Sequence, residues 1–228
     1  MRRLFLFLCL FLCAPQLAAA RGTDRRQEQE ASVVFWNLAT CMVQRNPDQI
    51  RKLLITSNWQ VGDRNLARSL AQRSLDEYPL RELPCGTFGE LKFNPELFKG
   101  TLAGAMFVRD TKGGPLPDYG VVQSPVTASD LTSAKDDATQ LQLGLRAFSY
   151  CVFLNKPDEV QALLMSRPFS QAEQKLFDSL ATTFGGCLPA QEGTQISFSH
   201  IKLRSLLGEA AFYADSSLYG RSPTGKTQ

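Results

Sequence analysis

The stretch "CMVQRNPDQIRKLL", residues 41–54, returns 110 positions later as "CVFLNKPDEVQALL", residues 151–164. In both, a cysteine leads, a Pro-Asp pair sits in the middle and two leucines close the phrase. Proline suits the first turn of a helix, where its missing N–H costs nothing, and an aspartate beside it meets the positive end of the helix dipole. The apolar residues that follow, Ile50, Leu53 and Leu54 and again Val160, Leu163 and Leu164, recur at i, i+3 and i+4, which places them on one helical face. The phrase therefore predicts a helix end, a turn and a helix start.

The echo extends beyond the phrase. At an offset of 110, residues 41–72 match 151–182 at nine of 32 positions, ending in "SLA" at 69–71 and 179–181. At an offset of 105, "LKFNPELFKGTLAGAMFVRD" (91–110) matches "ISFSHIKLRSLLGEAAFYAD" (196–215) at five of 20. The loop between the two blocks absorbs the change of offset and carries Cys85 in the first copy and Cys187 in the second. The matches fall in the same order and at corresponding helix landmarks, so the expected organisation is a first helical repeat at 31–110 and a second at 134–215.

Each repeat reads as four helices. In the second copy, Leu176, Phe177, Leu180 and Phe184 mark the third helix, which opens on the capping box "SQAE" at 170–173. The first copy answers with Leu66, Leu70 and Ala71. Asn94-Pro95 and Ser199 open the fourth helices, whose buried stripes are expected to be Phe98, Leu102, Ala105 and Met106, and Leu203, Leu207, Ala210 and Ala211. Glycine inside a helix costs about 1 kcal/mol relative to alanine, so Gly104 and Gly208 predict close helix contacts. Period-2 alternation is confined to "TQISFSH" at 194–200. Tetratricopeptide arrays have a 34-residue period and a signature that is absent here. The fold class is all-α: two tandem, internally duplicated four-helix units packed as a pseudo-twofold globule.

The N-terminus sets the compartment. "MRRLFLFLCLFLCAPQLAAA" has two arginines, an apolar run from Leu4 to Ala14 and a small-residue end, the pattern of a signal peptide over 1–20. The run is too short for a membrane span, which needs about 20 residues. Localisation is expected to be periplasmic or extracellular. Loss of the leader removes Arg2 and Arg3 from the 25 basic residues and leaves 23 against 22 acidic ones. That balance argues against a nucleic-acid or anionic-membrane surface, each of which needs a basic patch. Four cysteines remain: Cys41, Cys85, Cys151 and Cys187. An even number in an exported chain reads as two disulfides, and the repeat selects the symmetric pairing Cys41–Cys85 and Cys151–Cys187, one staple per unit.

Between the repeats, "TKGGPLPDYGVVQSPVTASDLTS" (111–133) is a linker by composition, with Tyr119, Val121 and Val122 suggesting that part of it packs down. The tails at 21–30 and 216–228 are polar and expected to be mobile.

Chemistry has few candidates. There is no C-x-x-C spacing and only one histidine, His200, so no metal site is expected, and no cofactor-binding fingerprint occurs. A histidine-dependent hydrolase would have to use His200, with Ser199 or Ser205 nearby, yet the equivalent of His200 in the first copy is Pro95. Asp48 and Asp158 form a repeated carboxylate pair, for which helix capping is a sufficient explanation. No catalytic residue is assigned. The expectation is a non-enzymatic binding or interaction module for an unknown protein or small-molecule ligand, held between the copies. The alternative is an extracytoplasmic hydrolase using His200 or a carboxylate pair.

Overall fold

The computed structural model of the chain describes residues 28–56, 95–188 and 198–218. Within them the chain forms eight helices and no strand: α1 (28–45), α2 (Pro47–Thr56), α3 (Pro95–Thr111), α4 (Ala128–Thr132), α5 (Asp137–Asn155), α6 (Pro157–Met165), α7 (Gln171–Cys187) and α8 (His200–Leu218). The leader at 1–20, the third helix of the first repeat, Cys85, most of "TQISFSH" and the end of the C-terminal tail lie outside the described residues.

The repeated phrase folds as its composition dictates. A single non-helical residue, Asn46, separates α1 from α2, and a single one, Lys156, separates α5 from α6. Asn46 N donates to Met42 O at 2.9 Å and Lys156 N to Val152 O at 3.0 Å, while Ile50 N and Val160 N donate back to Asn46 O and Lys156 O, each at 3.0 Å. The two sets of bonds are related by the offset of 110. Pro47 and Pro157 open the following helices, with Asp48 and Asp158 in their first turns. Each proline sits where its absent N–H would have lacked an intrahelical partner.

Two expected tails are shorter than their composition implied. Helix α1 is already formed at residue 28, inside the stretch read as 21–30, and α8 runs on to Leu218, past the expected limit at 215. The linker contains the short helix α4, opened by a capping box between Thr127 and Asp130. It also packs down: Tyr119, buried, lies 4.8 Å from Phe153 edge to face and donates its hydroxyl to Asp215 Oδ1 at 3.0 Å. Gln161 Nε2 adds a bond to Gly114 O at 3.2 Å.

The capping box at Ser170 forms one of its two bonds as expected. Ser170 Oγ accepts from Glu173 N at 3.1 Å, but the Glu173 carboxylate reaches past Ser170 to accept from Phe169 N at 2.5 Å. Cys187 is the last residue of α7 and bonds Cys151 in α5, with 5.7 Å between their Cα atoms. Cys41 is also a half-cystine. Cys85, its expected partner, lies outside the described residues.

One continuous apolar core runs through both halves of the sequence, from Leu38, Val43, Ile50 and Leu54 through Leu102, Met106 and Phe107 to Phe153, Leu163, Leu180, Leu207 and Phe212. Both stripes expected of the fourth helices are buried in it. At its centre α3 and α8 share the most extensive helix–helix contact. A Cβ added at Gly208 would lie 2.7 Å from Gly100 O and 2.9 Å from Gly104 Cα, and one added at Gly104 would lie 3.2 Å from Gly208 Cα. Glycine at these positions lets the backbones approach, as their placement inside helices implied. The contacts from Gly100 to Ser205 and from Gly104 to Gly208 advance together, so the two helices run in the same direction.

Candidate functional site

His200, the one histidine, lies at the start of α8 between two rings: stacked on Phe169 with centroids 5.1 Å apart, and tilted against Phe177 at 4.9 Å. Its Nδ1 is 4.0 Å from Glu173 Oε2. Glu173 is 1 % exposed, and a buried carboxylate needs partners. Its main partner is Arg204, one turn along α8, whose Nη1 donates to Glu173 Oε1 at 2.7 Å. The two terminal nitrogens of Arg204 also close the end of α6: Nη1 reaches Leu163 O at 2.7 Å, and Nη2 reaches Leu164 O at 2.6 Å and Ser166 O at 2.8 Å. The last carbonyls of a helix lack intrahelical donors, and here a guanidinium supplies them. The Trp36 ring from α1 covers Arg204 with its centroid 4.3 Å from the guanidinium carbon. Burial pushes the Arg204 guanidinium below its ordinary value and the adjoining Glu173 charge opposes that shift.

The charged groups of this cluster are hydrogen-bonded within the fold. Arginine neither accepts nor exchanges a proton near neutral pH, and both oxygens of Glu173 are committed, one to Arg204 and one to Phe169 N. Phe169 is held at φ 58°, a left-handed conformation unusual for a bulky side chain, by this bond and by its stack on His200. The serines considered as nucleophiles are also engaged elsewhere. Ser199 Oγ accepts from Lys202 N at 3.4 Å, and Ser205 Oγ donates to Leu97 O at 2.9 Å across the α3–α8 contact. Asp48 and Asp158 are exposed in separate first turns. Among the described residues, no group of three or more His, Cys, Asp or Glu is placed to hold a metal ion, and no helix is long and apolar enough to cross a membrane.

A second polar cluster lies on the other side of α8. Lys99 Nζ is 3.4 Å from Glu209 Oε1, with both side chains largely buried at 16 % and 12 % exposure. The same ammonium stands 5.8 Å from the centre of the Tyr213 ring. Tyr150, on α5, is 4 % exposed. Burial, reinforced by the Glu209 charge, pushes its phenol well above the ordinary value, while Arg146 acts in the opposite sense. Arg146 precedes Tyr150 by one turn. This group draws on α3, α5 and α8 and bridges the two halves of the sequence.

Sequence reasoning placed His200 at a helix start, named it only in the alternative hydrolase reading and saw Glu173 only as a capping-box residue; it passed over Arg204, Lys99 and Glu209. The available signal was the occurrence of charges inside apolar helices: Arg204 lies between Leu203 and Leu207, and Glu209 between Leu207 and Ala210. No protein-family model, no curated protein and no solved structure matches the chain.

Proposed function

We propose that the chain is an exported, internally duplicated, non-enzymatic binding protein that holds its ligand between the two repeats. The observation that carries this reading is the deployment of its polar groups. Glu173, Arg204, Ser199 and Ser205 are used to close helix ends or join helices, and His200 is packed between rings beside Glu173. A hydrolase built on His200 requires a hydroxyl or a water-activating carboxylate free to act with it. The groups nearest to it are committed elsewhere.

The duplicated organisation, with units at 31–110 and 134–215 each closed by one disulfide, is supported by the matching bonds around Asn46 and Lys156. It is also supported by the approach of Gly100 to Ser205, which correspond to one another at the offset of 105. A contact between corresponding positions is what a pseudo-twofold axis between the units produces. Export is supported by the leader pattern and by the Cys151–Cys187 disulfide, which suits an oxidising compartment.

The test is to recover the protein from the periplasmic and culture fractions and identify by native mass spectrometry what accompanies it. A defined ligand or partner released on denaturation supports the proposal. Hydrolysis of ester or glycoside substrates that is abolished by His200→Ala, in a variant that keeps its helical signal, contradicts it.

A further inference from the structure

The chain leaves α3 through two successive left-handed residues, Lys112 at φ 51° and Gly113 at φ 68°. That conformation is unfavourable for a lysine and persists where its surroundings hold it. Lys112 N donates to Val108 O and Gly114 N to Thr111 O, each at 2.9 Å. The rest of the hold comes from α6. Met165, the last residue of that helix, lays its thioether on Gly113: a Cβ added there would lie 2.7 Å from Met165 Cε and 3.1 Å from its Sδ. Gln161, one turn earlier on the same face, donates its Nε2 to Gly114 O at 3.2 Å. The next buried residue of the linker is Tyr119, so the start of the linker rests on the Met165 contact and a single side-chain bond from α6.

Met165 is also open to solvent. It is 50 % exposed, whereas Met106 is fully buried and Met42 partly so. An exposed thioether is the first to meet an oxidant in solution. Packing at this place does not ask for sulfur, since under the duplication proposed above the counterpart of Met165 is Ile55, which has no such chemistry.

We propose that Met165 is a site of oxidative modification, at which conversion of the thioether to a sulfoxide by a peroxide releases the start of the linker from α6. The sulfur lone pair attacks one oxygen of hydrogen peroxide, and the S–O bond forms as the O–O bond breaks. The sulfur is oxidised by two electrons; the departing hydroxide takes the proton of the sulfur-bound hydroxyl and leaves as water. The product is polar where the thioether was apolar. A half-exposed side chain solvates that new dipole by swinging off Gly113 into water, and the left-handed turn loses its cover. Residues 112–118 are then held by the Gln161 bond alone, while Tyr119 stays seated on Phe153 and Asp215. The device is local, it is reversed by methionine sulfoxide reductases, and it does not depend on what the protein binds.

The test treats the whole chain from residue 21 with dilute hydrogen peroxide and reads two quantities by mass spectrometry: the sulfoxide at each methionine, and the rate at which trypsin releases the fragment that begins at Gly113. Met165 is expected to oxidise about tenfold faster than Met106. Cleavage after Lys112, which requires the turn to open, is expected to rise about fivefold in the oxidised protein and to return on reduction by the paired sulfoxide reductases. Met165→Leu keeps an apolar cover without sulfur and is expected to be cleaved slowly before and after peroxide. Met165→Gln carries a polar head from the outset and is expected to be cleaved fast without any oxidant. Far-UV circular dichroism should be unchanged by oxidation, which separates local release from unfolding. Oxidation of Met165 no faster than that of Met106, full conversion of Met165 with unchanged cleavage after Lys112, an equal acceleration by peroxide in Met165→Leu, or a loss of helix on oxidation would each overturn the proposal.

Discussion

Gly208 shows how far one residue can be read. Its place inside an otherwise regular helix implied a close approach, and the Gly100 and Gly104 backbones are the neighbours. Alanine there gains about 1 kcal/mol of helix propensity but must push backbone against backbone, and overpacking a tight contact costs about 1–3 kcal/mol. Gly208→Ala should therefore lower the urea midpoint. Gly144→Ala should raise it, because a Cβ at Gly144 meets nothing within 4 Å. Arg204 was not legible in the same way. Its partners are carbonyls and a carboxylate 31 to 41 positions away, and no local spacing encodes which helix end a guanidinium will close. Glu173→Gln leaves that guanidinium buried without its counter-charge and is expected to cost about 3–5 kcal/mol. Tyr150 gives a prediction in pH. Because its phenol is held well above the ordinary tyrosine value of about 10 in the fold, chiefly by burial, the unfolded chain loses the proton first. Stability is therefore full below about pH 10 and falls as pH rises beyond it, by up to about 1.4 kcal/mol per pH unit. Alkaline denaturation midpoints should show that slope in the wild type and a shallower one in Tyr150→Phe.

Elements carry the most legible part of the structure. The one-residue breaks at Asn46 and Lys156, the proline starts and the buried faces of α2, α3, α6 and α8 all follow from local composition and a 3.6-residue period. The extent of α1 and α8 was less legible, because their ends are polar and are held by tertiary contact. Glu28 Oε1 in α1, for example, accepts from Ile201 N at 3.5 Å, a bond that no local pattern announces. The docking of the linker depends in the same way on Tyr119 finding Asp215, 96 positions distant. The disulfide between α5 and α7 spans 36 residues. On the chain-entropy account, closing such a loop is worth about 4 kcal/mol. A Cys151→Ser/Cys187→Ser double variant should lose stability of that order, with a lower thermal midpoint and retained helicity below the transition. An unchanged midpoint would show that the packing of α7 on α5 suffices without the bond.

At the scale of the whole molecule, the two halves share a core through α3 and α8, and other bonds tie one half to the other. Tyr213 donates its hydroxyl to Leu54 O at 2.6 Å, and Trp36 of the first half covers Arg204 of the second. This joint was partly visible in the sequence: the glycines inside the fourth helices announced a close contact, and the expected packing of the first and fourth helices of the two copies placed those helices together. Neither half, at about 80 residues, is expected to bury enough surface to stand alone without its neighbour. The direct test is differential scanning calorimetry of the chain from residue 21, alone and as Gly208→Val, which forces a branched side chain into the α3–α8 contact. The shared core predicts a single transition whose van't Hoff and calorimetric enthalpies agree, displaced as a whole to lower temperature by the substitution. Two resolved transitions, of which the substitution moves only the one belonging to the second half, would contradict it.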